Sequence, residues 1–215
     1  MQETFHIRNE VESDYQRVEE ITRKAFYNRY VPGCVEHYLV HIMRSHEDFI
    51  PELDLVIEAY GQIIGNIIYT KATLIEESGF EKSILTFGPV SILPEYQRRG
   101  FGKQLMETSF QRAIALGYDT IVISGSPSNY VNRGFQSCKR YHITLEDGSY
   151  PSAMLVKELI PGVLGDKHWI YRPSPVYEID EQAAAYFDTL YPEKLEKQVL
   201  PCQEEFYILS HSTLS

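Results

Sequence analysis

A seven-residue loop rich in glycine and cations is the part of the sequence best suited to bind an anion. Its residues, in order, are Gln97, Arg98, Arg99, Gly100, Phe101, Gly102 and Lys103. The hydrophobic pattern predicts a strand before the loop and a helix after it. The glycines let the backbone approach a ligand, and the unpaired N–H groups of the first helical turn carry the positive end of the helix dipole. Together with the three cations, these groups predict a site for a diphosphate.

Two common phosphate-binding motifs do not fit this loop. A P-loop has Ser or Thr after its lysine and a glycine five residues before it, whereas Gln104 follows Lys103 and Arg98 takes the glycine position. A dinucleotide-binding fingerprint needs a third glycine, and Leu105 occupies that position. The loop therefore belongs to another kind of anion site.

The pattern Gln-x-x-Gly-x-Gly resembles the acetyl-CoA-binding signature of the GNAT superfamily of N-acetyltransferases. The resemblance extends to residues 90–96 before the loop and 130–135 after the next predicted strand. It is strongest to a bacterial branch of predicted N-acetyltransferases, from whose pattern Ser126 and Asn129 depart. The resemblance implies an α/β (α+β) fold, in which a mixed, mostly antiparallel, twisted sheet is flanked by helices. It also implies a reaction that consumes acetyl-CoA and releases coenzyme A.

The same resemblance gives roles to individual residues. It implies that the backbone of Val90, Ser91 and Ile92 binds the pantetheine arm as an added strand would, while the loop amides bind the diphosphate. Asn129 is similar to an asparagine that contacts that arm; a turn residue is the alternative. Tyr130 is similar to the tyrosine that protonates the leaving thiolate, a step that suits a phenol with a pKa of about 10. The alternative for Tyr130 is an aromatic side chain packed on the sheet, as for most of the 16 tyrosines.

No motif identifies the base that deprotonates the acceptor amine. Glu158, just past a predicted strand, is one candidate, and Glu36 or His37 near the second predicted helix is another. Each is also compatible with a solvated or internally paired side chain. The three cysteines have no histidine at a recognisable spacing and no metal-ligand spacing, so neither an acyl-cysteine intermediate nor a metal site is predicted.

The composition limits the partners of this 215-residue chain. A formal net charge of -10 argues against nucleic acid, so an anionic cofactor depends on the local cations of the loop. No apolar run is long enough to span a bilayer and the first residues show no leader peptide, so no membrane partner is expected. Three dispersed cysteines favour free thiols in a reducing compartment, which predicts a cytoplasmic protein.

Hydrophobic periodicity predicts the elements that position these residues. Residues 4–8 form an edge strand, and two helices precede a run of antiparallel strands. Pro89 predicts a bulge or a local splay in the strand that leads to the loop, because proline cannot donate to a ladder. Residues 141–145 and 153–156 predict a hairpin across a cluster of turn residues.

The character of the chain changes after residue 160. We therefore predict an acetyltransferase domain at residues 1–160 and a C-terminal extension at residues 161–215 that packs on the same domain, because the extension has too few apolar residues for its own core. A helix is predicted near residues 180–191, with Ala183, Phe187 and Leu190 facing inward. The sequence leaves open whether the extension covers the substrate site or contributes to a homodimer contact.

The residues and the resemblance together predict acetyl transfer from acetyl-CoA to the primary amine of a small molecule, by direct attack in a ternary complex. By resemblance, the turn between the first two helices and the region after Met154 form the amine pocket. One alternative is an enzyme of the same chemistry that acts on the N-termini or lysines of proteins and peptides. Another is a non-catalytic acyl-CoA sensor, against which an intact Tyr130 argues.

Overall fold

Apolar and β-branched residues dominate the central strands of this computed structural model, which describes residues 4–215. The first three residues, on which the expectation of no leader peptide partly depends, lie outside the described residues. The strands are β1 (Phe5–Asn9), β2 (Leu55–Ala59), β3 (Gln62–Glu76), β4 (Glu81–Ile92), β5 (Thr120–Ser124), β6 (Gln136–Ser137), β7 (Ile143–Thr144), β8 (Met154–Glu158) and β9 (Trp169–Arg172). The helices are α1 (Tyr15–Phe26), α2 (Glu36–Met43), α3 (Phe101–Ala115), α4 (Pro127–Tyr130), α5 (Glu181–Asp188) and α6 (Pro201–Ser210).

The strands form one mixed sheet. Within residues 4–215 its order is β1-β2-β3-β4-β5-β8-β6, and β9 pairs with both β3 and β7. Neighbours along the main order are antiparallel except β4 and β5, and β7 is parallel to β9. The predicted mixed, mostly antiparallel sheet flanked by helices is confirmed.

Helices cover both faces of the sheet. On α1, Thr22 Oγ1 donates to Asn66 Oδ1 of β3 at 3.2 Å, whereas the Tyr69 hydroxyl, three residues further along β3, is 2.7 Å from Ser109 Oγ of α3. Because side chains alternate between the faces of a strand, residues separated by an odd number point in opposite directions. The helices α1 and α3 therefore pack on opposite faces, which explains why β3 is buried almost continuously.

The strands β4 and β5 separate soon after they meet. Within the described residues they pair at one position, Leu85 with Ile121. Beyond that point β4 carries a bulge, since three steps from Phe87 to Val90 oppose only two steps on β3. The extra residue lies at Gly88 and Pro89, which confirms the bulge predicted from Pro89. The result is a gap beside the last residues of β4, directly before the glycine loop.

The predicted hairpin between residues 141–145 and 153–156 is wrong. The turn itself exists, because Leu145 N donates to Ser149 O at 3.1 Å and Gly148 N donates to Leu145 O at 3.0 Å. However, β8 is already paired on one edge with β5 and on the other with β6, so no edge is left for β7. The strand β7 instead pairs with β9, a strand of the extension that the sequence analysis did not predict.

The extension joins the sheet through β9 and contacts the segment between α1 and α2. Trp169 is paired with Glu76 of β3 and is buried. On the other side, Gln203 Nε2 of α6 donates to Asn28 O at 3.0 Å. The predicted helix is present as α5, but Leu190 lies beyond its end and is 60% exposed, so its inward orientation was wrong. Ala184 is the fully buried residue of α5.

A buried ion pair joins α1 to the end of α5. Arg23 Nε lies 2.6 Å from Asp188 Oδ1, and the two side chains are 3% and 16% exposed. Removing one partner of such a pair leaves a charge without compensation in a low-dielectric site. We expect Asp188→Asn to lower the free energy of unfolding by about 3 kcal/mol, measured by urea denaturation.

The exposed pair between Lys24 and Glu193 provides the control for that prediction. It joins the same two parts of the chain at 3.1 Å, with side chains 42% and 56% exposed. Since exposed pairs contribute little, Glu193→Gln should change the free energy of unfolding by less than about 1 kcal/mol. Equal effects of the two substitutions would contradict the importance of the buried pair.

Candidate active site

The glycine loop enters α3 in a conformation that leaves its amides open. Gly100, the N-cap of α3, has a φ of 91°, and no side chain caps the helix. Arg98 also has a positive φ, of 60°. A Cβ atom added to Gly102 would lie 3.6 Å from Ile92 Cγ1 and one added to Gly100 would meet nothing within 4 Å, so the loop lies beside the end of β4 with open space above it. The first amides of α3 are therefore available to an anion.

The three loop cations do not all face that space. Arg99 packs its guanidinium over aromatic rings, with its Cζ 5.3 Å from the centroid of Tyr60 and 5.5 Å from that of Tyr96. Lys103 Nζ lies 3.6 Å from Glu107 of the next helical turn. The positive charge near an anion on this loop is thus smaller than the sequence indicates, unless other cations supplement it.

Arg29 and Arg133 provide such cations, although the sequence analysis did not single them out. Together with Gln97 and Gly102 they line a cavity of about 220 Å³, which we call the loop cleft. The Arg133 Nε is buried and has no hydrogen-bond partner among the described residues. A buried guanidinium nitrogen without a partner is costly in an isolated protein, which favours a ligand that accepts from it.

The free edge of β4 forms one wall of the loop cleft. Leu93 N donates to Ile64 O of β3 at 2.9 Å, and successive backbone N–H groups point in opposite directions along a strand. The amides of Val90 and Ile92 therefore differ in direction from that of Ser91 and face the gap beside β5. The Ser91 hydroxyl points to α1, where it donates to Thr22 Oγ1 at 3.1 Å, so its side chain belongs to the core.

A second cavity, of about 430 Å³, adjoins the loop cleft. We call it the aromatic chamber, since it is lined by rings of α1, the following turn, β4 and the extension. The loop cleft and the aromatic chamber share Phe26, Tyr30, Val90 and Tyr130 in their walls. Asn129 lines the loop cleft next to Tyr130. The structure thus brings the loop, the β4 edge, Asn129 and Tyr130 around one continuous space.

Tyr130 stands where the two cavities meet. Its ring packs against Phe87 and Phe135, with centroid distances of 5.9 and 5.7 Å. A Cβ atom at Gly125 would lie 2.6 Å from Tyr130 Cε2, so glycine is needed there for the ring to fit. No described residue hydrogen-bonds the Tyr130 hydroxyl. Burial raises its pKa above the ordinary value, which keeps the phenol protonated at neutral pH.

The three candidate bases lie in different environments. Both carboxylate oxygens of Glu158 accept backbone N–H groups, from Gly162 and Leu164 at 2.9 Å, and Glu158 borders a separate groove beside α3. His37 is fully buried, and burial lowers its pKa to about 4, so it is neutral. Glu36 lines the aromatic chamber. Of the three, Glu36 lines the same cavity as Tyr130, whereas Glu158 and His37 do not line it.

No helix among residues 4–215 combines the length and the apolar character that a membrane crossing requires.

Comparisons with known proteins agree with this architecture. The model of the acetyltransferase (GNAT) family matches residues 15–136, which include the glycine loop and Tyr130. The uncharacterized N-acetyltransferase YjhQ of Escherichia coli (strain K12) is 28% identical over 155 residues, which cover 72% of this chain and 78% of that protein.

Two solved structures share the fold. The GNAT family N-acetyltransferase YhbS of Escherichia coli, in complex with CoA, superposes with a TM-score of 0.70 at 20% identity, over 83% of this chain and 94% of that one. A GNAT family acetyltransferase from Brucella melitensis, in complex with acetyl-CoA, has a TM-score of 0.63 at 22% identity, over 82% and 99% of the two chains. Because the family model spans more than half of its residues, this chain belongs to the acetyltransferase (GNAT) family.

Proposed function

We propose that this protein transfers the acetyl group of acetyl-CoA to the primary amine of a small molecule, by direct attack in a ternary complex. The observation that carries the proposal is the position of Tyr130, which lines both the loop cleft and the aromatic chamber and whose hydroxyl has no hydrogen-bond partner among the described residues. A proton donor in the shared wall of the two cavities is accessible from a cofactor on one side and an acceptor on the other.

The residues of the loop cleft fit the cofactor. The open amides of Gly100, Phe101 and Gly102 and the cations Arg29 and Arg133 suit a diphosphate. The outward-facing amides of Val90 and Ile92, with Asn129 nearby, suit the amide groups of the pantetheine arm. The orphan Arg133 Nε supports this assignment, since it lies buried without a partner among the described residues. Arg98 is the remaining loop cation and is exposed.

The chain's own groups can carry the protons of the reaction. When bound, acetyl-CoA supplies the activated acetyl group. Tyr130 donates its proton to the sulfur as the carbon–sulfur bond breaks, and it recovers a proton from the nitrogen as the new amide forms. The raised pKa of Tyr130 keeps the phenol protonated, and therefore able to donate, at neutral pH. The two backbone amides that donate to Glu158 favour a structural role for this residue over that of the base.

The extension supports a small acceptor rather than a protein. Tyr27 of the segment after α1 donates to Leu195 O at 2.9 Å, and Asn28 Nδ2 donates to Glu196 O at 2.8 Å. Other residues of the extension, Tyr171, Tyr177 and Phe206, line the aromatic chamber together with residues of the first part of the chain. An extended peptide chain needs an open groove, whereas these residues form an additional wall.

The proposal is tested by measuring free thiol released from acetyl-CoA with a panel of amines and short peptides. Release that depends on a small primary amine supports it. Release that depends on peptides alone would favour the protein-modifying alternative. Tight binding of acetyl-CoA without release on any acceptor would favour the sensor.

Arg133 provides a specific test of the cofactor assignment. We expect Arg133→Met to weaken CoA binding about 20-fold, because it removes a charge-assisted hydrogen bond but keeps most of the side chain's apolar contacts. The affinity is measured by isothermal titration calorimetry. Arg140→Met, at an exposed position outside the cavities, should leave the affinity unchanged. Equal affinities of both variants would contradict a role for Arg133.

A further inference from the structure

The aromatic chamber has an unusual wall for a site that is to bind an amine. Seven rings line it: Phe26, Tyr30, Phe87, Tyr130, Tyr171, Tyr177 and Phe206. Among the described residues in this wall, Glu36 alone carries a formal charge. A ligand that fills the chamber must therefore be largely apolar, with one cationic end.

Two of the polar side chains in the chamber wall are paired with each other and are therefore not open to a polar acceptor. The Thr86 Oγ1 lies 2.6 Å from the Tyr171 hydroxyl, so these two groups bond to each other. An amino sugar would lose hydrogen bonds to water on entering such a wall without regaining them. A polyamine would bring a second and a third ammonium group to a wall with a single carboxylate. Both acceptor classes are disfavoured.

Glu36 is fixed so that one oxygen is available. As the first residue of α2, it accepts from Val35 N at 3.1 Å and from Cys34 Sγ at 3.2 Å, both through Oε2. No described residue hydrogen-bonds its Oε1. Burial raises the pKa of this carboxyl, which strengthens its affinity for a proton. An ammonium group in the chamber would find Oε1 as its partner.

The extension contributes an aromatic ring to the wall of the chamber. Phe206 of α6 packs on Tyr30 with a centroid distance of 4.3 Å, and both rings line the chamber. Aromatic faces attract cations as well as apolar groups, so this part of the wall suits both the ring of a ligand and its charged end. The sequence analysis did not predict α6, which contributes part of this specificity.

We propose that the acceptor is an arylalkylamine, a primary amine joined to an aromatic ring by a short alkyl chain, with its ring in the aromatic chamber and its nitrogen at Glu36. This inference rests on the proposed acetyl transfer and names the substrate class of that site. Glu36 Oε1 takes one proton from the ammonium group and passes it to solvent. The free amine then forms the carbon–nitrogen bond as the carbon–sulfur bond breaks. The thiolate takes the proton of Tyr130, and the nitrogen of the new amide releases a proton that restores the Tyr130 hydroxyl.

The test uses 2-phenylethylamine as the probe, with ethanolamine and spermidine as polar controls. Binding to the CoA-loaded protein is measured by calorimetry, and turnover by thiol release from acetyl-CoA. We expect 2-phenylethylamine to bind roughly 30-fold more tightly than ethanolamine, as burial of a phenyl ring predicts. Its kcat/KM should exceed that of both controls. Binding of ethanolamine or spermidine at least as tight as that of 2-phenylethylamine would overturn the substrate class.

Two substitutions separate the ring from the charge. Phe206→Ala should weaken 2-phenylethylamine binding about 10-fold, whereas Tyr207→Ala, on the adjacent residue that is 58% exposed, should not. Glu36→Gln keeps an oxygen that accepts from Val35 N, and it should weaken the binding of 2-phenylethylamine about 10-fold. The affinity for 2-phenylethanol, which has no charge, should be unchanged. An equal effect of Phe206→Ala and Tyr207→Ala, or of Glu36→Gln on both ligands, would overturn the arrangement.

Failure of this inference is distinguishable from failure of the proposed function. Turnover of polar amines without binding of 2-phenylethylamine would overturn the substrate class and leave acetyl transfer intact. Binding of 2-phenylethylamine without thiol release from any amine would overturn acetyl transfer instead.

Discussion

Replacing Tyr130 with phenylalanine is expected to lower kcat on the order of 10²- to 10³-fold while leaving acetyl-CoA binding unchanged. General acids typically contribute factors of this size, and the substitution removes only the hydroxyl of a residue that lines both cavities. The ring contacts with Phe87 and Phe135 persist in the variant, so its fold and cofactor site should be retained. The measurement is single-turnover thiol release beside a calorimetric titration with CoA.

Tyr118→Phe is the matched control for Tyr130→Phe. Tyr118 is likewise partly buried and its pKa is also raised by burial, but it lies outside the loop cleft and the aromatic chamber. Its replacement should leave kcat within about 2-fold of the wild type, since it contacts no reacting group. A Tyr130→Phe variant that binds CoA and retains full kcat would show that the leaving thiolate needs no proton from this phenol.

The pKa of Tyr130 gives a further expectation for the same experiment. Because burial raises that pKa, the acid form persists from neutral into mildly alkaline solution. At pH values below about 10, the rate should therefore not decrease through loss of the Tyr130 proton. A fall in kcat near pH 8 in the wild type that is absent in Tyr130→Phe would contradict the direction of the shift.

The parts of the site that lie close together in the sequence could be predicted from it. The glycine loop, the start of α3 and the bulge at Pro89 depend on backbone properties of a few neighbouring residues, namely glycine freedom and the missing proline N–H. The candidate role of Tyr130 followed from a family resemblance carried by a short run of neighbouring residues. The Arg99 side chain could not be placed in this way, because its orientation depends on Tyr60, which is distant in the sequence.

The parts that come from distant segments could not be predicted. Arg29 and Arg133 meet in the loop cleft only because α1 and α4 approach the same edge of β4. The pairing of β9 with β3 and the contact of Phe206 with Tyr30 join the extension to the first half of the chain, and no local periodicity encodes such partners. For the same reason the hairpin prediction failed: adjacency in sequence favoured β7 beside β8, but β5 and β6 occupy both edges of β8.

Gly100→Glu is the second substitution with a large expected effect. Gly100 is the N-cap of α3, where open amides suit a diphosphate. A carboxylate about 5 Å from a phosphate charge would raise the free energy of binding by ~3 kcal/mol at an effective dielectric of about 20, which weakens CoA binding roughly 200-fold. Calorimetry with CoA measures this loss, and circular dichroism establishes that the variant is folded.

Two matched variants separate charge from backbone strain in that experiment. Any side chain at Gly100 must adopt its φ of 91°, which costs on the order of 1 kcal/mol of stability. Gly79→Glu introduces the same side chain at a φ of 85° in the turn between β3 and β4, so it should share the loss of stability but keep the CoA affinity. Gly100→Gln has nearly the same size without the charge and should bind CoA more tightly than Gly100→Glu. Because charge repulsion is the physical basis of the predicted loss, equal affinities of the two Gly100 variants would attribute the effect to steric blockage, and unchanged affinity in folded Gly100→Glu would contradict an anion site at this loop.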